Sequence, residues 1–154
     1  DAREFTIGDM GIGECAGEVV SSIEFGLADA EREAFEAQVA FDAKDYRKAD
    51  GQAYQAMLDT AAALIKLQWQ DVPNDTDVIV GEFRRRFYDT ELFFDKYARG
   101  KFAQYLFARH ARQGTEPDAD AVRRLIEEAQ LFIEAAHACE TRMAVAKAEA
   151  ARSS

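Results

Sequence analysis

At 154 residues, 48% of them hydrophobic, the chain can bury one core of ordinary domain size and is too apolar for a disordered polypeptide. Its 29 acidic residues outnumber 19 basic ones, a formal charge of −10, which excludes a general phosphate-backbone binder and makes nucleic acid an unlikely partner outside a small basic patch. Two cysteines exclude a disulfide framework, and no apolar run approaches the roughly 20 residues that cross a bilayer, so the expected location is cytoplasmic.

In chain order, residues 1–26 differ from the rest. Gly8, Gly11, Gly13 and Gly17 fall within ten positions, and glycine lowers helix propensity while permitting positive φ. The segment is expected to be a non-helical leader or docking arm, with the helical domain covering 27–154. A chain that starts at Asp1 rather than Met also reads as part of a longer polypeptide.

From Leu27 the pattern turns helical: Leu27, Ala30, Ala34, Ala37 and Phe41 form one apolar stripe. A second helix is predicted from Asp45 to about Trp69, with Ala53/Tyr54, Met57/Leu58, Ala61 and Leu64/Ile65 facing inward, and Pro73 closing the turn after it. A third is predicted over Asp77 to about Tyr88 and a fourth over about Glu91 to Arg112, ending at Gly114. The aromatic run Phe83, Phe87, Tyr88, Phe93, Phe94, Tyr97, Phe102, Tyr105 and Phe107 reads as core.

Thr115 and Asp118 match a capping box opening a fifth helix from about Glu116 to Ala148. Val122, Leu125, Ile126, Ala129, Phe132, Ile133 and Ala136 give its stripe, which thins after Cys139 into a fraying end. The expectation is an all-α, up-and-down antiparallel bundle of about five helices behind a glycine-rich leader.

The chemistry-bearing residues form no complete catalytic, cofactor or metal site. A di-metal bundle needs two Glu-x-x-His motifs. Glu134-x-x-His137 is one, but His110 has Phe107 in the glutamate position. Cys15 lies between Glu14 and Glu18, whose charge disfavours the thiolate, and Cys139 and His137 point to different sides of one helix. Gly11-x-Gly13-x-x-x-Gly17 lacks the dinucleotide spacing. The clusters Arg84-Arg85-Arg86, Arg109/Arg112 and Arg123-Arg124 read as solvated helix faces.

The stretch Arg3-Glu4-Phe5-Thr6-Ile7-Gly8-Asp9-Met10-Gly11-Ile12-Gly13-Glu14-Cys15-Ala16-Gly17-Glu18-Val19-Val20 resembles a segment of bacterial nitrite/sulfite reductase-type proteins. There it follows the sirohaem and iron–sulfur module and opens a C-terminal helical extension. The paired-cysteine motifs of that family are absent here, so the resemblance implies a non-catalytic accessory domain acting in docking or oligomerisation. Its partner would be the rest of a longer polypeptide, a partner protein or a second copy, and Glu14, Cys15 and Glu18 are the contact candidates.

The bundle also resembles the HEPN class. Its nuclease members carry Arg separated from His by four to six intervening residues, whereas Ala103, Gln104 and Tyr105 stand at that distance before His110, and Gln130, Leu131 and Phe132 before His137. This resemblance implies a stand-alone module without nuclease activity that binds a partner protein or nucleotide in a concavity lined by Arg109, Arg112 and Arg123.

Overall fold

The structure is a computed structural model that describes residues 11–112 and 116–153, with side chains described from Ile23 onward. Its elements are α1 (Gly11–Asp42), α2 (Tyr46–Ile65), α3 (Thr76–Phe83) running into a π-helical turn (Arg84–Tyr88), α4 (Lys101–Ala111) and α5 (Ala119–Ser153). The chain is an all-α bundle.

Local signals set most boundaries. The side chains of Asp45, Asp75 and Asp118 accept the backbone N–H groups of Lys48, Val78 and Ala121, capping α2, α3 and α5. Lys44 takes a left-handed φ of 66° in the tight turn between α1 and α2. The expected cap Thr115 lies outside the described residues; α5 opens at Ala119, three residues later than predicted, with Asp118 as its cap. At the other end the Ala-, Lys- and Glu-rich tail stays helical to Ser153, because these residues have high helix propensity even without a core to face.

Two expectations are corrected. The backbone from Gly11 onward is helical, so the glycine-rich leader is α1 from that point, and the boundary drawn between 26 and 27 falls inside one helix. Once Ile23 and Leu27 are packed, each residue added upstream gains a backbone hydrogen bond, which opposes the ~1 kcal/mol cost of a glycine. Residues 1–10 lie outside the described part.

The second correction concerns the fourth helix. Residues 89–100 form turns, and α4 covers only Lys101–Ala111. Glu91 and Arg99 take left-handed φ values of 62° and 57°. The Asp95 carboxylate accepts both the Tyr97 and Ala98 N–H groups at 2.7 Å, offering the backbone an alternative to the helical ladder. Before this loop, the Asp89 N–H reaches back five residues to the Arg84 carbonyl at 2.8 Å, the bond that widens the π turn.

Contacts between Gly26 and Ala63 and between Glu36 and Gln52 make α1 and α2 antiparallel. Glu31 meets His137, while Gln38 and Gln130 line one groove, so α1 is antiparallel to α5 as well. It follows that α2 and α5 run parallel, touching where Ala56 meets Ile133, and α3 with α4 carry the chain back between them.

The core has two textures. Between α1 and α2 it is lined with alanine: Ala30, Ala34, Ala37, Ala49, Ala53 and Ala56 are all buried. Beneath the short helices it is aromatic. Phe83 stacks on Phe87 at 5.6 Å, and its ring also lies 5.0 Å from Phe93 and 5.4 Å from Phe132. The reading of the aromatic run as core holds for Phe83, Phe87 and Phe93, whereas Tyr97 is 85% exposed.

A Cβ on Gly26 would meet the Ala63 Cβ at 2.7 Å, closer than real carbon contacts allow. Gly26→Ala should therefore lower the denaturation midpoint by a net ~1 kcal/mol or more, overpacking outweighing the gain in helix propensity. Adding Ala63→Gly should recover most of that loss in urea titrations, and a stabilising single substitution would contradict the close approach.

Candidate functional site

The densest polar cluster joins α2, α3 and α4. Asp50 points from the inner face of α2 and is 7% exposed. Its two oxygens each accept a guanidinium N–H at 2.7 Å, Oδ2 from Arg109 and Oδ1 from Arg112. One turn along α2, the Tyr54 ring lies 4.2 Å beneath the Arg109 guanidinium. Tyr54 Oη and His110 Nδ1 are 2.6 Å apart, and His110 Nε2 is 3.0 Å from Asp77 Oδ1 at the start of α3. The tautomer with its proton on Nε2 satisfies both bonds: the ring donates to Asp77 and accepts the phenol proton.

Its chemistry is that of a latch. Burial pushes the Tyr54 phenol above its ordinary value, Arg109 opposing, so the group is protonated at neutral pH and is no base. A buried carboxylate flanked by two guanidiniums holds the C-terminal end of α4 against α2. Arg109 and Arg112 thus come together as expected, but on Asp50, where they are already paired. Arg123 stands apart, facing Asp120 at 3.5 Å and Glu127 at 3.9 Å along its own helix. The side chains of Glu14, Cys15 and Glu18 lie outside the described ones.

Asp50, Tyr54 and Asp77 were not singled out in the sequence. A signal existed for Asp50: it falls on the inward stripe of α2 one turn before Tyr54, and a charge on an apolar face requires a counter-charge. Nothing marked Arg109 and Arg112, distant in sequence, as its partners.

The other candidates resolve individually. Cys139 is fully buried, its Sγ 3.4 Å from the Leu92 carbonyl oxygen, and burial pushes its thiol up to about 11, far from a thiolate nucleophile. His137 Nε2 sits 3.1 Å from Glu31 Oε2 in a half-exposed pair across α1 and α5. Among the described residues no group of three or more His, Cys, Asp or Glu side chains could hold a metal ion. No helix among them is long and apolar enough to cross a membrane.

A carboxyl pair bridges α1 and α2. Glu33 Oε1 is buried without a hydrogen-bond partner, and burial, with a hydrogen bond and charge repulsion from Asp59, raises the Glu33 carboxyl to about 8. Asp59 itself accepts the Gln55 side-chain amide at 2.8 Å.

Comparison of the chain with protein-family models, with curated proteins and with solved structures finds no match.

Two predictions follow from the geometry. Asp50→Ala leaves two guanidiniums facing each other without a counter-charge and should cost about 3 kcal/mol in denaturant unfolding; a loss under about 1 kcal/mol would mean that the latch is solvated like a surface pair. For Glu33, the folded-state value lies above the unfolded one, so the folded protein binds the extra proton. Its contribution is present below the ordinary carboxyl range and lost as pH rises through about 8. The melting temperature of the parent chain relative to Glu33→Gln should fall between pH 5 and 9, and parallel pH profiles would refute the shared-proton arrangement.

Proposed function

We propose that the chain is a non-catalytic accessory helical domain of a sulfite/nitrite reductase-like protein, docking it through the outer face of α1. The class of parent protein rests on the likeness of the Arg3–Val20 stretch to reductase-type proteins; the observation that carries docking is the distribution of apolar side chains on α1. Ile23, Leu27, Ala30 and Ala34 face the core. Phe25, Phe35 and Val39 lie on the opposite side, within an arc of about 80° at 3.6 residues per turn. They are 72%, 67% and 53% exposed.

Single apolar residues are common on surfaces, but large ones gathered on one helix face mark contact sites. Arg32 projects within the same arc and the acidic residues Asp29, Glu31 and Glu36 rim it, so apolar and charged contacts are offered together. The engagement of Cys139 in the core and of Arg109 and Arg112 by Asp50 supports the same reading, since the residues best suited to chemistry or phosphate capture already serve packing. A nucleotide bound at Arg109 and Arg112 would first have to displace Asp50.

Titration calorimetry of the chain against a separately purified sirohaem–iron–sulfur module from the same genome tests the proposal. Saturable binding is expected, weakened roughly tenfold or more by Phe35→Glu with Val39→Lys, as for the loss of a central apolar anchor. Helicity should be unchanged, because both side chains point away from the core. Binding unaffected by the double substitution, or a sirohaem absorption band intrinsic to the chain, would overturn the reading.

A further inference from the structure

The π turn and the loop after it concentrate positive charge on an otherwise acidic protein. Residues 84–101 hold six Lys and Arg against three Asp and Glu, while the remainder holds 13 against 26. Arg85 and Arg86 pair with Glu82. Arg84 and Arg99, both exposed, make no ion pair among the described residues and rest instead on aromatic rings.

Those rings form a continuous strip. Arg84 lies 3.8 Å above the Phe107 ring and 5.8 Å from that of Tyr88. Tyr88 meets Phe107 edge-on at 5.1 Å and Phe94 at 5.6 Å. Arg99 lies 5.8 Å from Phe94. All three rings are only half-buried, and beside them Tyr97 stands almost fully exposed with the Lys96 ammonium 5.5 Å from its ring.

The strip is held rigid from below. A Cβ on Gly100 would come within 2.8 Å of Tyr88 and 2.9 Å of Phe94, so the absent side chain is what lets both rings settle on the backbone. Asp95 and Arg99 exchange two backbone hydrogen bonds at 2.9 Å, and the Leu92 carbonyl accepts from both Cys139 Sγ and Arg142 Nη2 of α5. A loop fixed in this way loses little entropy on binding.

We propose that this strip is a docking site for an acidic, extended peptide segment of a partner protein, with carboxylates at Arg84 and Arg99 and an apolar side chain on the rings between them. A guanidinium held beside a ring with no ion-pair partner keeps N–H groups free for a carboxylate. The partner is a peptide rather than a nucleic acid because the available basic surface is short: the stretch continues through α4, but Arg109 and Arg112 there are already engaged by Asp50. A polyphosphate chain running past it would meet the field of the remaining carboxylates within one Debye length, ~8–10 Å. The site is separate from the outer face of α1 and does not depend on it.

Fluorescence anisotropy with a fluorescein-labelled peptide alternating Glu with Leu and Phe tests this on the whole chain. Binding should saturate, fall with added salt, and weaken roughly tenfold or more in Arg99→Glu, the loss expected for one charge-assisted hydrogen bond. Arg84→Glu should weaken it further, while Phe35→Glu with Val39→Lys should leave it unchanged, which separates this site from the α1 face. Arg99 is exposed on a loop, so an unaltered melting temperature will confirm that its variant is folded. The proposal is overturned if no saturable binding occurs, if oligouridylate or the same peptide with Lys for Glu binds as tightly, or if sedimentation shows the arginines holding two copies of this chain together.

Discussion

The close approach of α1 to α2, with Gly26 against Ala63, is the constraint on which the remaining packing depends. Small side chains along this seam bring two helix backbones near each other, so each turn buries little apolar area but leaves few voids. An alanine-lined seam alone gives modest hydrophobic stabilisation, since the effect scales with apolar area removed from water. The missing bulk is supplied elsewhere, by Phe83, Phe87, Phe93 and Phe132, which occupy the wider space under the short helices. The π turn belongs to this division: its widened ladder is accompanied by Phe83 and Phe87 both pointing inward in a stacked pair.

Charge is arranged around these two regions. Asp50 is the only carboxylate among the described residues that falls in the buried class, and it fastens α4 to α2 through two arginines at once. Since removing one member of such a set strands the others, the cluster specifies where α4 sits more than it adds to stability. The unpartnered Glu33 oxygen shows the opposite solution, a carboxyl that tolerates its interhelical position by keeping its proton. At the far loop Arg84 and Arg99 rest on aromatic faces without a carboxylate partner among the described residues.

Periodicity made the bundle legible. The α5 stripe from Val122 to Ala136 is buried where it was expected, and Ala53, Met57, Ala61 and Leu64 on α2 likewise. Glycine misled the reading at Gly11–Gly26, because a propensity of ~1 kcal/mol per residue is easily overridden by cooperative extension from a packed helix. At Gly26 the residue marks close approach instead of flexibility. The break at 89–100 was hidden for the converse reason: Asp95 and two left-handed residues undo a segment whose aromatic spacing looks helical. Of the candidate site, Arg109 and Arg112 could be named from sequence. Their binding to Asp50 could not, since it depends on which helices become neighbours.

Among the described residues α5 is the longest helix. At ~1.5 Å per residue its 35 residues span about 52 Å, and its buried positions end at Cys139. The turns beyond are exposed apart from half-buried Glu140 and Met143, and Arg142 still reaches the Leu92 carbonyl from them. A free helix of a few turns is marginal in water, so the amide protons of these turns should exchange faster than those of the buried part of α5. The exposed end of α5 is therefore expected to loosen before the core that the rest of that helix helps to close.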